Sequence, residues 1–387
     1  MDAPRSAEIL RLFVGRRNRG QTVGRWGSLL PWMPRVCGLH PDDLPAIPSR
    51  TRSSGPVRSA HGTDGTQHET AAPTDRERFD VFLPDTYLIG APKAGTTSLT
   101  RWLESHADMF FCRPKEPHYW AVDYPRMREH RGYATRAAYE ALFSSPKARA
   151  ARHLADGSTT YLYSQNAVPA ILRDVPHARF IVALRNPVDL VVSWHRTQLL
   201  ALNEDEQDFG SAWRRSLAGG VPGTDVLDPK RVDYQLLGRL GQAASRLLQS
   251  APREQVHFVV FEDLVSRPQQ VWHAVTDFLD LAAEPAPSFE AHNQSTKMFR
   301  SALLHRMKHR PPALVAKPVR VLRQKSQHST NPAWARVRNV LWRSAPRPTV
   351  EDAIRRELTN FFAEDVAALG RLVDRDLSGW SVVTSRD

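Results

Sequence analysis

Between Leu88 and Leu99 the chain brings together Gly90, Lys93, Ala94, Gly95 and three successive hydroxyl residues, Thr96, Thr97 and Ser98. An apolar run, a glycine turn and a helix start in that order aim backbone N–H groups at one point, where the helix adds a partial positive charge. The ligand such a point suits is an anion, above all a phosphate. Glycine is needed because a side chain would block the close approach of backbone to ligand. Thr96, Thr97 and Ser98 are expected to cap the helix and to offer hydroxyls to phosphate oxygens. Against the triphosphate-binding pattern G-x-x-x-x-G-K-[ST], Gly90, Gly95 and Thr97 fall in register, but Thr96 stands where the lysine belongs. The lysine sits inside the loop instead, at Lys93, which argues against hydrolysis of ATP or GTP.

A second run, Ala183 to Trp194, reads as a buried strand ending in Arg185-Asn186-Pro187, with Ser193 on the helix that follows. An arginine at a strand end offers a fork of donors to a phosphate. Together the two runs resemble the sulfotransferase family: Pro92 to Leu99 is similar to its donor loop, and Arg185 to Ser193 to its second signature. The resemblance implies 3′-phosphoadenosine 5′-phosphosulfate as cosubstrate, bound without metal. It assigns Lys93, Ala94, Gly95, Thr96, Thr97 and Ser98 to the 5′ end, Lys93 also to the leaving oxygen, and Arg185 and Ser193 to the 3′-phosphate.

Sulfuryl transfer also asks for a base beside the acceptor. Lys115-Glu116-Pro117-His118-Tyr119-Trp120 resembles the Glu-x-His-aromatic-aromatic motif of heparan-type and many bacterial sulfotransferases, which makes Glu116 the implied base. His118 is the second candidate, because an imidazole titrates near neutrality, and Tyr119 and Trp120 are expected to wall the acceptor. Asp156 to Tyr161 is similar to a family segment of the form Glu-Lys-[Ser or Thr]-Pro-x-Tyr, with Asp156, Gly157 and Thr160 departing from it. Asn293 to Arg300 stands where relatives close a basic loop over the nucleotide, so Lys297 and Arg300 are implied contacts of the 3′-phosphate.

These motifs need a scaffold that delivers strand ends to one edge. From Phe79 on, short β-rich runs (Tyr87 to Ile89, Phe180 to Leu184, Val256 to Phe261) alternate with helical spacing, notably at 96–105, 133–142, 168–172, 234–249 and 271–279. The expected fold is α/β, a P-loop-like three-layer sandwich with a central parallel sheet flanked by helices. Residues 1–78, rich in Arg, Pro, Gly, Ser and Thr, read as a disordered leader, and 79–387 as one sulfotransferase domain. Within it lie a basic segment, 291–350, that carries no Asp or Glu, and a C-terminal helix at 351–372. The polar, glycine-containing stretch from Asn203 to Val232 reads as a loop that varies with the acceptor.

Composition narrows the class without choosing the reaction. With 387 residues, 41% of them hydrophobic, the chain can bury a large core. Two cysteines, Cys37 and Cys112, make neither a disulfide framework nor a zinc site. No stretch approaches the length of a membrane span, and the expected location is cytoplasmic. A net charge of +12 favours anionic partners. The expected acceptor is a small molecule or glycan, with no nucleic-acid partner. Two other readings stay open: a P-loop nucleotide kinase using Thr97 and Mg²⁺, and a non-enzymatic polyanion or nucleic-acid binder built on 291–350.

Overall fold

Thr86-Tyr87-Leu88-Ile89-Gly90 forms β1, every residue of which is buried, and Arg179–Leu184 forms β4, buried along five of its six residues. Near-continuous apolar strands of this kind are stable only where helices cover both faces, the usual setting of a parallel sheet. In a computed structural model describing residues 83–282, 284, 287, 297–299, 342–344 and 350–382, these strands join Met109–Phe111 (β2), His153–Asp156 (β3) and Val256–Val260 (β5). The five strands are parallel in the order β2-β3-β1-β4-β5. The expected α/β sandwich is therefore the observed architecture.

The strand order locates the site. After β1 the chain turns toward β3 and β2, whereas after β4 it turns the other way, to β5. At such a switch the two loops part and leave a crevice at the carboxyl ends of the strands. The loop after β1 carries Lys93, and Arg185 directly follows β4.

Helices Thr96–Glu104 (α1), Pro125–Arg131 (α2), Ala167–Asp174 (α3) and Pro187–Ala201 (α4) lead up to Phe209–Leu217 (α5). Tyr234–Gly238 (α6), Leu240–Ser250 (α7), Phe261–Ser266 (α8), Pro268–Phe278 (α9) and Asp352–Val373 (α10) follow. α4 starts sharply because Pro187 presets the first turn and the Asn186 side chain accepts from Val188 N at 3.0 Å. α10 lies along α7 at very close range: a Cβ on Gly241 would stand 2.4 Å from the Asp365 carbonyl oxygen. The Asp365 carboxylate accepts from Gly241 N at 2.7 Å and Gln242 N at 2.9 Å, satisfying first-turn donors of α7. Among the described residues no helix is long and apolar enough to cross a membrane.

Several sequence expectations need correction. The helix expected over 234–249 is broken at Arg239 (φ −77°, ψ 68°) into α6 and α7. Phe261 opens α8 rather than completing β5. The stretch 203–232 is no loose loop: it contains α5, whose Trp213 is fully buried and donates through Nε1 to Glu357 on α10 at 2.8 Å. Asn203 and Glu204 are buried as well, with Glu204 paired to Arg215 and accepting from the Tyr234 hydroxyl at 2.9 Å. Residues 1–78 and nearly all of 291–350 lie outside the described residues. Within the latter, Lys297–Phe299 (β6) and Trp342–Ser344 (β7) pair as a small antiparallel sheet.

Candidate active site

The loop after β1 doubles back through two left-handed residues, Lys93 (φ 67°) and Gly95 (φ 88°). Gly95 is the N-cap of α1, and no side chain caps that helix. Thr96, Thr97 and Ser98 thus form the first turn rather than the cap, which corrects the capping role expected for them. Glycine at 95 is required twice over. Its φ is costly for any other residue, and a Cβ there would lie 2.4 Å from Leu264 Cδ2 and 3.2 Å from Phe261 Cδ2 on α8.

Arg185 braces this loop from β4. Its Nη1 donates to the Lys93 carbonyl at 2.9 Å, its guanidinium lies 4.6 Å from the centre of the Phe261 ring, and Asp189 stands 3.9 Å away. Asp189 is held in turn by Arg355 of α10 at 2.9 Å. Burial, followed by the charge of Arg185, pulls the Lys93 ammonium below the usual lysine range; Glu116 opposes the shift and Arg196 adds to it. Arg196 is a cation of this site that motif reading missed. It sits three residues beyond Ser193 on α4, and that helical spacing was the available signal. Ser193 itself is half-buried on α4. Lys297 lies on β6, and Arg300 lies outside the described residues.

Glu116 and His118 both adopt left-handed backbone, at φ 63° and φ 59°. Strain of this kind persists only where surrounding contacts enforce it. Arg131 on α2 supplies two of them, donating through Nε to the Glu116 carbonyl at 2.7 Å and through Nη2 to the Lys115 carbonyl. The segment Asp156 to Tyr161 supplies the rest. His118 N donates to Ser158 Oγ at 3.1 Å, the Thr160 hydroxyl lies 2.7 Å from His118 Nδ1, and the Thr159 hydroxyl donates to Glu116 Oε1 at 3.4 Å. Beneath it Asp156, fully buried, accepts from Ser158 at 2.7 Å, Tyr161 at 2.8 Å and Tyr139 at 2.9 Å. Burial nevertheless lifts its carboxyl to about 6, against the pull of those hydroxyls. Trp120 donates through Nε1 to the same Tyr139 and is buried, so it belongs to the core and not to an acceptor wall. Tyr119 stacks on Tyr139 at 4.4 Å.

The Glu116 carboxylate lies 3.5 Å from His118 Nε2 and 3.3 Å from Lys115 Nζ. A carboxylate only accepts, so the imidazole proton belongs on Nε2, with the Thr160 hydroxyl donating to Nδ1. Burial would raise the Glu116 carboxyl, but Lys115, His118, Arg131 and Arg231 override it and bring it to about 2. Burial, only partly offset by Glu116, brings His118 down to about 3. Near neutral pH the pair is an ionised carboxylate beside a neutral imidazole. Lys115 also reaches Thr96 Oγ1 of the phosphate loop at 3.5 Å, and its stem lies where a side chain at Gly157 would go, with Cε 3.1 Å from a Cβ built there. Among the described residues no group of His, Cys, Asp or Glu could hold a metal ion.

The model of the Sulfotransferase family matches residues 84–285. Heparan sulfate glucosamine 3-O-sulfotransferase 3B1 of Mus musculus is 28% identical over 199 residues, covering 51% of this chain and 46% of that protein. The bifunctional heparan sulfate N-deacetylase/N-sulfotransferase 1 of Caenorhabditis briggsae is 22% identical over 231 residues, covering 58% of this chain and 26% of that one. The chain therefore spans less than half the length of these curated relatives. The crystal structure of a sulfotransferase from Alicyclobacillus acidocaldarius is similar in fold, with a TM-score of 0.54 at 22% identity, covering 78% of this chain and 99% of that chain.

Proposed function

Because the chain belongs to the sulfotransferase family, we propose that it transfers a sulfuryl group from 3′-phosphoadenosine 5′-phosphosulfate to a hydroxyl or amine of a small-molecule or glycan acceptor. The observation that carries this reading is the meeting of Lys93, Arg185 and Glu116 at one sheet edge, close enough that Arg185 and Glu116 each shift the ionisation of Lys93. The residues fit the donor: a glycine-lined helix start for the 5′-phosphate, a lysine within the loop for the bridging oxygen, and Arg185 with Ser193 for the 3′-phosphate.

In this mechanism the acceptor oxygen or nitrogen attacks sulfur while the bond from sulfur to the bridging phosphate oxygen breaks in line. The acceptor proton passes to the Glu116 carboxylate, and the leaving bisphosphate keeps the electron pair beside the Lys93 ammonium. Two products result, the sulfated acceptor and adenosine 3′,5′-bisphosphate. His118 serves Glu116 by position, its Nε2–H aimed at the carboxylate and its Nδ1 tied to Thr160. Glu116 is a weak base in the free enzyme because cations surround it. Arrival of the multiply anionic donor offsets those cations and raises its basicity when the acceptor needs it.

The test is incubation with ³⁵S-labelled donor and an acceptor panel, for the native chain and Glu116→Gln. Glu116→Gln is expected to bind adenosine 3′,5′-bisphosphate normally and to lose about 10²-fold or more in turnover. Full activity of that variant would remove Glu116 from the role of base.

A further inference from the structure

Three hydroxyls stand between the carboxylate of Asp156, the last residue of β3, and the segment that carries Glu116 and His118, and each is used in both directions. Ser158 donates to Asp156 Oδ1 at 2.7 Å and accepts from His118 N at 3.1 Å. Tyr161 donates to Oδ2 at 2.8 Å and accepts from Trp120 N at 3.3 Å. Tyr139 donates to Oδ2 at 2.9 Å and accepts from Trp120 Nε1 at 3.2 Å. A hydroxyl has one proton to give, and an ionised carboxylate can only accept. All three protons therefore turn toward Asp156, and all three oxygens offer their lone pairs to residues 118–120.

Asp156, Ser158, Tyr161 and Tyr139 are fully buried. A carboxylate is an expensive group to place there, since its bonds are to neutral hydroxyls and the charge of Lys115 is a lesser pull on it than burial is a push. Apolar residues of similar volume would serve packing as well and cost nothing to desolvate. What the carboxylate adds is direction. Without it the hydroxyl protons can turn toward the N–H groups of 118–120, where donor would face donor. The backbone held by these bonds is left-handed at Glu116 and His118, a form that persists only under such restraint. His118 Nε2 in turn stands 3.5 Å from the Glu116 carboxylate.

We propose that Asp156 is a positioning residue for the base: its carboxylate sets the direction of the Ser158, Tyr161 and Tyr139 hydroxyls, and these hold residues 118–120 so that Glu116 and His118 keep their relative placement. This inference rests on the reading of Glu116 as the base and adds a residue that acts through it. Asp156→Asn exposes the logic, because it replaces one oxygen by an NH₂ group of nearly equal size. At Oδ1 the new donor confronts the Ser158 proton, and at Oδ2 it confronts those of Tyr161 and Tyr139. In either orientation at least one hydroxyl must reverse, and its proton then meets an N–H that it had accepted.

The experiment compares the full chain with Asp156→Asn and Ser158→Ala in three measurements. These are amide hydrogen exchange read by mass spectrometry, calorimetric affinity for adenosine 3′,5′-bisphosphate, and single-turnover transfer from ³⁵S-labelled donor to the most reactive member of the acceptor panel. Asp156→Asn is expected to speed exchange at residues 118–120 about tenfold or more, with exchange in β5 unchanged. Transfer should slow about tenfold or more while bisphosphate affinity stays within about twofold. Ser158→Ala, which removes one bridge of the three, should show the same pattern to a smaller degree. A loss confined to the transfer step separates positioning from a general structural role, which would leave the rate of the folded enzyme alone. Native exchange in Asp156→Asn, or faster exchange with native transfer, would overturn the proposal. If Asp156→Asn does not fold, Ser158→Ala decides by the same readouts. Full activity of Glu116→Gln would remove the base and this inference with it. If the native chain transfers to nothing in the panel, the enzymatic reading fails on its own account, and exchange alone upholds or overturns the hold of Asp156 on the segment.

Discussion

At the scale of single residues, Glu116 and His118 work as a unit whose geometry comes from hydroxyls supplied by a distant segment. Thr160 faces His118 Nδ1 at 2.7 Å, and removing that hydroxyl frees the imidazole to rotate away from the carboxylate. Thr160→Val is therefore expected to lower single-turnover transfer roughly tenfold with unchanged bisphosphate affinity, and Thr160→Ser to recover most of the loss. If Thr160→Val transferred at the native rate, the imidazole would not position the base. Lys93, Arg185 and Glu116 were legible in the sequence because each lies in a contiguous motif that carries its own turn or strand end. Arg231 and the Asp156 hydroxyl network were not. His118 and Ser158 are 40 residues apart, and only the sheet edge brings them together. Thr160, which departs from the family segment by standing where it has proline, is the partner of the imidazole.

At the scale of elements, the loop after β1 depends on how closely α8 approaches Gly95 at the start of α1. Gly95→Ala asks a β-carbon to occupy the space of Leu264 and a residue with a side chain to hold φ 88°. The expected cost is at least about 2 kcal/mol of stability. Because the loop must shift to relieve the clash, bisphosphate affinity should drop at least about tenfold. Denaturant unfolding and calorimetric titration of the same preparation check both, and an unchanged affinity would show that the loop does not need this approach. The long apolar strands β1, β4 and β5 announced themselves by their β-branched and aromatic runs. β2 and β3 did not, being three and four residues long, and His153-Leu154-Ala155-Asp156 contains no β-branched residue. Their neighbours in the sheet, not their own propensity, make them strands. The helix break at Arg239 was equally hidden, since the apolar spacing continues across it.

For the whole molecule, buried titratable groups set the response to acid. Burial holds His118, His195 and His257 below the usual imidazole range, to about 3 for His118 and about 4 for His257. The unfolded chain takes up these protons near pH 6.5 and the folded chain does not, so stability falls as pH drops below that value. Asp156 works in the opposite sense: its raised carboxyl lets the folded chain take a proton first, which favours folding as pH falls from about 6 toward 4. Burial raises Asp228, Glu262 and Asp365 in the same sense as Asp156, but the unfolded imidazoles take up protons from a higher pH, about 6.5, so between pH 7 and pH 5 they dominate, each contributing up to about 1.4 kcal/mol per pH unit. The unfolding temperature should therefore fall from pH 7 to pH 5, and His257→Leu should flatten the slope. A flat or rising profile would show that these imidazoles take up protons in the folded state.

The fold gathers Lys93 and Arg185 at the edge between β1 and β4, and on the proposed function this edge takes a nucleotide bearing phosphates on both 5′ and 3′ positions. Calorimetric titration without magnesium, comparing adenosine 3′,5′-bisphosphate with adenosine 5′-monophosphate, tests this most directly. A preference of about 100-fold or more for the bisphosphate is expected, sharply reduced in Arg185→Ala and with binding of both nucleotides weakened in Lys93→Ala. Equal affinity for the two nucleotides in the native chain, or no binding of either, would contradict it.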